Sequence, residues 1–295
     1  MPSRESKQIE IKKAEETKKF PGLFLRLFLF TLLCVPLALV YLIPLPQNVH
    51  LTRPPFEDFS SAPSSIKAPI PKKPQIKRPL VAIIIDDIGY DLNLDKSFIQ
   101  MDSELSFAFL PYAPFTKRLA KLALEKNRDV LVHLPMEPVD KRLNPGLGVL
   151  SLDMDFDRLL SVLKKDISLV PGAIGVNNHM GSLFTSNTKK MEIIMTFLRQ
   201  NRLFFIDSRT TTKTVAYNVA KKMGVPCGER TVFLDNDFSK KEIRRQLKRL
   251  LAIAQKKGEA IAIGHPHPDT LQTLYEELPK LKRHVKIVPV HKLVH

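Results

Sequence analysis

At 295 residues with 44% hydrophobic content, the chain can bury one large core or two small ones, which excludes disorder throughout. Its 46 lysines and arginines against 30 aspartates and glutamates leave a net charge of +16, a balance drawn to phosphate- or carboxylate-rich polymers and to anionic membrane surfaces. Two cysteines, Cys34 and Cys227, exclude a disulfide framework and a CxxC metal site, so packing alone must hold the fold.

Residues 1–22 form a basic tail that contains Arg4, Lys7, Lys12, Lys13, Lys18 and Lys19. Residues 23–43 read as a transmembrane anchor. Leu27 to Ile43 is apolar apart from Thr31 and Tyr41, and with residues 23–25 added it approaches the roughly 20 residues that a bilayer-spanning helix requires. Pro36 would kink that helix, which lipid-embedded helices tolerate. The positive-inside rule puts the tail in the cytoplasm and everything after residue 46 outside. The chain is thus expected to be a single-pass protein of the bacterial inner membrane with a periplasmic domain. No small-x-small site follows Ile43, so the segment reads as an uncleaved anchor rather than a signal peptide. Residues 44–79 hold nine prolines and no glycine and read as an extended, semi-stiff linker.

From Leu80 onward, short apolar runs alternate with amphipathic stretches. Strands are predicted over 80–85, 105–110, 130–134, 173–177, 203–207, 231–235, 260–264 and 285–290. Several of these are apolar on both faces, as buried parallel strands are. Helices are predicted over 91–101, 115–127, 156–168, 187–200, 214–223 and 268–278. A further helix follows Ser239, opened by a Ser239–Glu242 capping box and stopped by Gly258. The alternation predicts one α/β domain over 80–295, a distorted (β/α) barrel of the glycoside hydrolase/deacetylase type.

Polar residues gather at the C-terminal ends of the predicted strands: Asp86-Asp87, His133, Asn177-Asn178-His179, Asp207, Asp235 and His265. In a parallel barrel those ends converge on one face, where active sites form. Adjacent aspartates leaving an apolar run repel each other unless a cation or proton is shared between them. Two strand-end histidines plus an aspartate suit a zinc-like ion, and a second aspartate is placed to take a proton from its water. His265, stiffened by Pro266 and Pro268, is suited to protonating a leaving group, a role open to His267 as well.

These segments, VAIIIDDIGY (81–90), VHLPMEP (132–138), GVNNHMGS (175–182), FFIDSRT (204–210) and IAIGHPHP (261–268), resemble in order those of the divergent polysaccharide deacetylases. The resemblance spans the last 215 or so residues and leaves out the anchor and linker. It implies a divalent metal, most often zinc, that serves removal of N- or O-acetyl groups from glycans, with a polysaccharide or peptidoglycan as substrate. By position Asp86 resembles the catalytic base, Asp87 and His133 metal ligands, and His265 the general acid. Asp207 resembles an aspartate that orients catalytic groups, with Arg209 restraining a carboxylate. The family's usual second metal histidine, four residues after the first, is replaced by Glu137, so His179, or alternatively Glu137, is expected to complete the site. A non-catalytic envelope protein that keeps the fold to bind glycan or protein, or an amidase acting on peptidoglycan stems, are competing readings. With no nucleic-acid motif and no aromatic stripe, nucleic acid is not an expected partner.

Overall fold

The computed structural model describes residues 78–295. The expected tail at 1–22, the anchor at 23–43 and all but the last two residues of the linker at 44–79 lie outside the described residues. Among the described residues, no helix is long and apolar enough to cross a membrane.

Strands and helices alternate in the order β1 (Leu80–Ile88), α1 (Leu92–Ile99), β2 (Ser106–Phe109), α2 (Thr116–Glu125), β3 (Val130–Met136), α3 (Phe156–Leu169), β4 (Gly175–Met180), α4 (Thr188–Gln200) and β5 (Phe204–Asp207). They continue with α5 (Ala216–Lys222), β6 (Cys227–Glu229), β7 (Val232–Phe233), α6 (Lys240–Lys257), β8 (Glu259–Gly264), α7 (Pro268–Leu281) and β9 (Lys286–Ile287). Every ladder is parallel, in the order β6-β5-β4-β3-β2-β1-β8-β7. The strands are apolar on both faces because they bury two cores. Phe98, Leu119, Leu163, Ile194 and Leu250 pack the helices against the outside of the sheet. Ala82, Ile84, Ala108, Leu131, Ile206 and Ile263 fill its concave side.

The expected strand at 231–235 shortens to β7, and an unexpected short strand, β6, precedes it; this is how the fold departs from a regular barrel. β6 pairs with β5 and β7 with β8, so the two edges of the sheet are consecutive pieces of chain separated only by Arg230 and Thr231. Arg230 donates its backbone N–H to Asp207 O (2.9 Å) and Thr231 donates to Ile261 O (2.7 Å). The sheet is curled, and its edges are joined by covalent chain rather than by a ladder.

The expected strand at 285–290 shortens to β9, because Pro289 has no N–H to extend a ladder. The chain then crosses the N-terminal ends of the strands. Val290 N donates to Ser106 Oγ (2.9 Å), His291 N to Asp129 Oδ2 (2.9 Å), and His295 exchanges two 3.1 Å backbone bonds with Cys227. Val288, Val290 and Leu293 thereby cap the concave core.

α6 starts and stops where the sequence predicts. Ser239 accepts from Glu242 N, and Gly258 closes the helix at φ 87°. Only half of the capping box forms, because the Glu242 carboxylate turns to Arg245 and Gln246.

Candidate metal and catalytic centre

Alternation along a regular strand would point Asp86 and Asp87 to opposite faces. The β1–β2 register shifts between Ile85 and Ile88, and Asp87 adopts φ 55°, so this bulge swings both carboxylates toward the mouth of the sheet. Gly89 completes the turn at φ 133°, where a Cβ would stand 2.6 Å from both Ala113 Cβ and Thr116 Oγ1. Its N–H donates to the buried Asp95 carboxylate (2.8 Å).

The β3–β4 register sets His133 directly across from Asn177, with His179 two residues further on the same face. His133 Nδ1 lies 2.8 Å from Asn177 Oδ1, and Asn177 Nδ2 donates to Asp86 Oδ1 at 2.7 Å. This amide orientation puts the His133 proton on Nδ1 and leaves Nε2 facing the mouth. There His133 Nε2 stands 3.1 Å from Asp87 Oδ1 and 3.1 Å from His179 Nδ1, and His179 Nδ1 stands 2.9 Å from Asp87 Oδ1. The three edges are close to the ~3.3 Å expected between ligands at about 2.0–2.1 Å around a tetrahedral ion. Asp87 Oδ1 is buried and satisfied by no hydrogen bond of good geometry, despite the two nearby nitrogens. Among the described residues this is the one group of three such side chains placed to share an ion. The donor set therefore fits a divalent cation.

Electrostatics agree with that fit. Burial pushes the Asp87 carboxyl up, but the two imidazoles outweigh it and hold the group well below the usual carboxylate range. Burial lowers His133, yet the Asp86 and Asp87 charges prevail and push it up to about 9, so without a cation the cluster takes up a proton in its place. Asp86 is only 2% exposed, and desolvation raises it despite His133 at 3.7 Å and the Asn177 bond.

His265 follows β8 and presents Nδ1 to Asp235 Oδ1 (2.9 Å), while its backbone N–H donates to Asp235 Oδ2 (2.6 Å). Thr270 Oγ1 donates to the same carboxylate, and Phe233 stacks on the ring at 5.0 Å. Burial lowers His265, but Asp235 and the charges of Asp86 and Asp87 raise it on balance. Nε2 is left as the free nitrogen. His267 instead caps α7 and stacks on Phe238.

Three sequence-predicted residues stand outside this cluster. Glu137, the alternative ligand, turns its carboxylate to Leu152 N (2.8 Å) and braces the 137–155 loop. Asp207 accepts from Arg209 N, Thr214 Oγ1 and Tyr217 N, holding the loop after β5. Arg209 pairs with Glu229, a partly exposed carboxylate across from Asp207 at the end of β6. That same loop carries Ser208, which receives a 3.3 Å bond from Asn177 Nδ2. Sequence reasoning missed Asn177 as the link between His133 and Asp86, and Asp235 as the partner of His265. Both were visible as polar residues ending apolar runs, but nothing local showed what they bond. A cleft of about 280 Å³ opens beside the cluster, lined by Asp87, His179, Tyr90, Tyr112, Asn144 and Leu147.

The family model described as divergent polysaccharide deacetylase matches residues 83–294. An uncharacterized protein of Haemophilus influenzae is 38% identical over 213 residues, which cover 72% of this chain and 76% of that one. The uncharacterized protein YibQ of Escherichia coli is 36% identical over 214 residues, covering 72% and 67%. The crystal structure of the uncharacterized protein ATU2773 from Agrobacterium tumefaciens C58 superposes with a TM-score of 0.71 at 22% identity, covering 75% of this chain and 91% of that one, a likeness of fold.

Proposed function

The chain belongs to the divergent polysaccharide deacetylase family, and from that membership we propose that it is a metal-dependent deacetylase acting on N- or O-acetyl groups of an envelope or extracellular polysaccharide. The observation that carries this reading is the convergence of Asp87, His133 and His179 on one point, with Asp86 and His265 beside it. Asp87, His133 and His179 would hold the ion, and imidazole plus carboxylate donors favour zinc. Such a cation lowers the pKa of a water and polarises a carbonyl.

The remaining work falls to the chain's own groups. Asp86, desolvated and fixed by Asn177 Nδ2, is the base that removes a proton from the attacking water. Asp235 favours the protonated form of His265, whose free Nε2–H would donate the proton to the departing amine or alkoxide. Asn177 sets the His133 tautomer and the Asp86 position together. Asp207 and Arg209 touch neither reacting group, so their part is to position the loop that carries Ser208. The basic tail and the apolar run at 23–43 support tethering of the domain to the outer face of the inner membrane.

The test is acetate release by purified, zinc-loaded protein from a panel of acetylated glycans that includes peptidoglycan. About one bound divalent ion per chain is expected, with loss of acetyl visible by mass spectrometry. A zinc-loaded protein that releases acetate from none of them sinks the reading, and cleaved stem peptides would establish the amidase instead.

A further inference from the structure

Helix α6 differs electrostatically from the rest of the domain. Residues 80–295 contain thirty-three basic and twenty-four acidic side chains. α6 alone supplies eight of the basic and one of the acidic, so the remainder is close to neutral. Some of these charges are satisfied. Lys240 lies 3.8 Å from Asp269, Arg244 pairs with Glu276 and Glu277 of α7, and Arg245 pairs with Glu242 of its own helix.

Lys241, Arg245, Lys248, Arg249 and Lys256 are exposed and recur at the spacing that places them opposite the buried face of Ile243, Leu247, Leu250 and Ala254. Of these, only Arg245 forms an ion pair among the described residues. The stripe is about 22 Å long at 1.5 Å per residue. Like charges three and four apart destabilise a helix, and Lys241 sits at the N-terminal end, where a cation is disfavoured. Among the described residues no carboxylate pairs with Lys241, Lys248, Arg249 or Lys256 to offset that cost.

The stripe leads to the catalytic mouth. The segment just before α6 carries Asp235, which orients His265, and Phe238, which is 44% exposed and stacks on His267 at 4.3 Å. Such an aromatic pair offers a flat surface to the C–H face of a pyranose ring. The exposed side of α6 holds Ala252 and no large apolar side chain, which disfavours insertion into a bilayer interface.

We propose that the polymer acted on is a polyanionic polysaccharide, with carboxylate or phosphate groups along its length, that lies on the α6 stripe and passes over Phe238 and His267 toward His265. This rests on the deacetylase reading for its substrate, but its test needs no turnover.

Binding of the full-length protein would be measured at increasing salt against alginate (carboxylate), glycerol-phosphate teichoic acid (phosphate), neutral dextran, and vesicles of equal parts phosphatidylglycerol and phosphatidylcholine. At least one anionic polymer should bind, with affinity falling steeply as salt rises, and dextran should not. Combined Lys241→Glu, Lys248→Glu and Arg249→Glu should weaken polymer binding on the order of tenfold or more and flatten the salt dependence. Lys117→Glu, Arg118→Glu and Lys121→Glu, exposed positions on α2, make the same charge change elsewhere and should alter it by less than about twofold. Should the α6 reversal disturb the unfolding midpoint, glutamine at the same three positions makes the same comparison with a smaller loss. Equal binding of dextran, equal weakening by the α2 variant, or binding of vesicles but of neither polymer would each overturn the proposal. Polymer binding together with no acetate release from the acetylated-glycan panel would sink the deacetylase reading and leave the α6 stripe as a polymer-binding surface.

Discussion

At the C-terminal ends of the strands, Asp86, Asp87, His133, His179 and His265 crowd into a mouth where Asp87 Oδ1 lacks a hydrogen bond of good geometry and two imidazoles compete for one carboxylate. At the N-terminal ends, Val288, Val290 and Leu293 close the concave core, and the polar groups of the crossing segment find partners in Ser106, Asp129 and Cys227. At one end the converging side chains are held short of electrostatic satisfaction, and at the other the crossing segment pairs its polar groups. A mouth that has to bind a cation and move protons keeps open valences, and the opposite end supplies the stability that tolerates them.

Substitutions separate the two ends. The largest effect is expected at the mouth: Asp86→Asn or His265→Ala should lower the rate of acetate release by about 10²- to 10⁴-fold while calorimetry still finds the metal bound. At the other end, Leu293→Ala should cost about 2–5 kcal/mol in denaturant unfolding and leave the rate per folded molecule unchanged. A loss of metal affinity in that variant would break the comparison. Between these, Asn177→Ala frees both His133 and Asp86, and metal affinity should fall by about 10- to 100-fold.

The pH profile sharpens the picture of the mouth. His265 must be protonated to act as an acid, and Asp235 raises its pKa, so activity should be lost as pH climbs through that raised value. Asp235→Asn removes the charge that raises it and should move the alkaline limb to lower pH, with the acid limb unmoved. The smallest effect is expected for Glu137→Gln. Its carboxylate braces Leu152 N, so metal stoichiometry should stay the same and stability should fall by about 1 kcal/mol.

The mouth was readable in the sequence because a polar residue that ends a both-faces-apolar run has one place to go in a parallel sheet. That argument brought together Asp87 with His133 and His179, and it put His265 on the same rim. It could not reveal partners set by the register between strands distant in sequence. Asn177 meets His133 through the β3–β4 ladder and reaches Asp86 from a strand 91 residues away. Glu137 occupies a position that suggested a ligand, but its backbone carbonyl already accepts from Leu183 N and Phe184 N, and its carboxylate is committed to the loop. β6 was missed because CGE carries no strand signal, and the final segment was over-read because VKIVPV alternates well until Pro289 interrupts it.

The junction at Arg230 and Thr231 has a mechanical consequence. In a fully laddered ring, widening the mouth means breaking a row of hydrogen bonds at once. Here the circumference is completed by two residues of backbone, one bonded to β5 and the other to β8, the strands beside the two edges. Changes in girth are absorbed by rotation about a few torsions, much as an expansion joint lets a rigid span lengthen. Arg230 stiffens that joint by donating to the carbonyls of Ser208 and Arg209 from one side while its guanidinium lies over Phe233 on the other. Phe233 in turn stacks on His265, so the compliance of the ring and the aim of the proton donor meet in a single side chain.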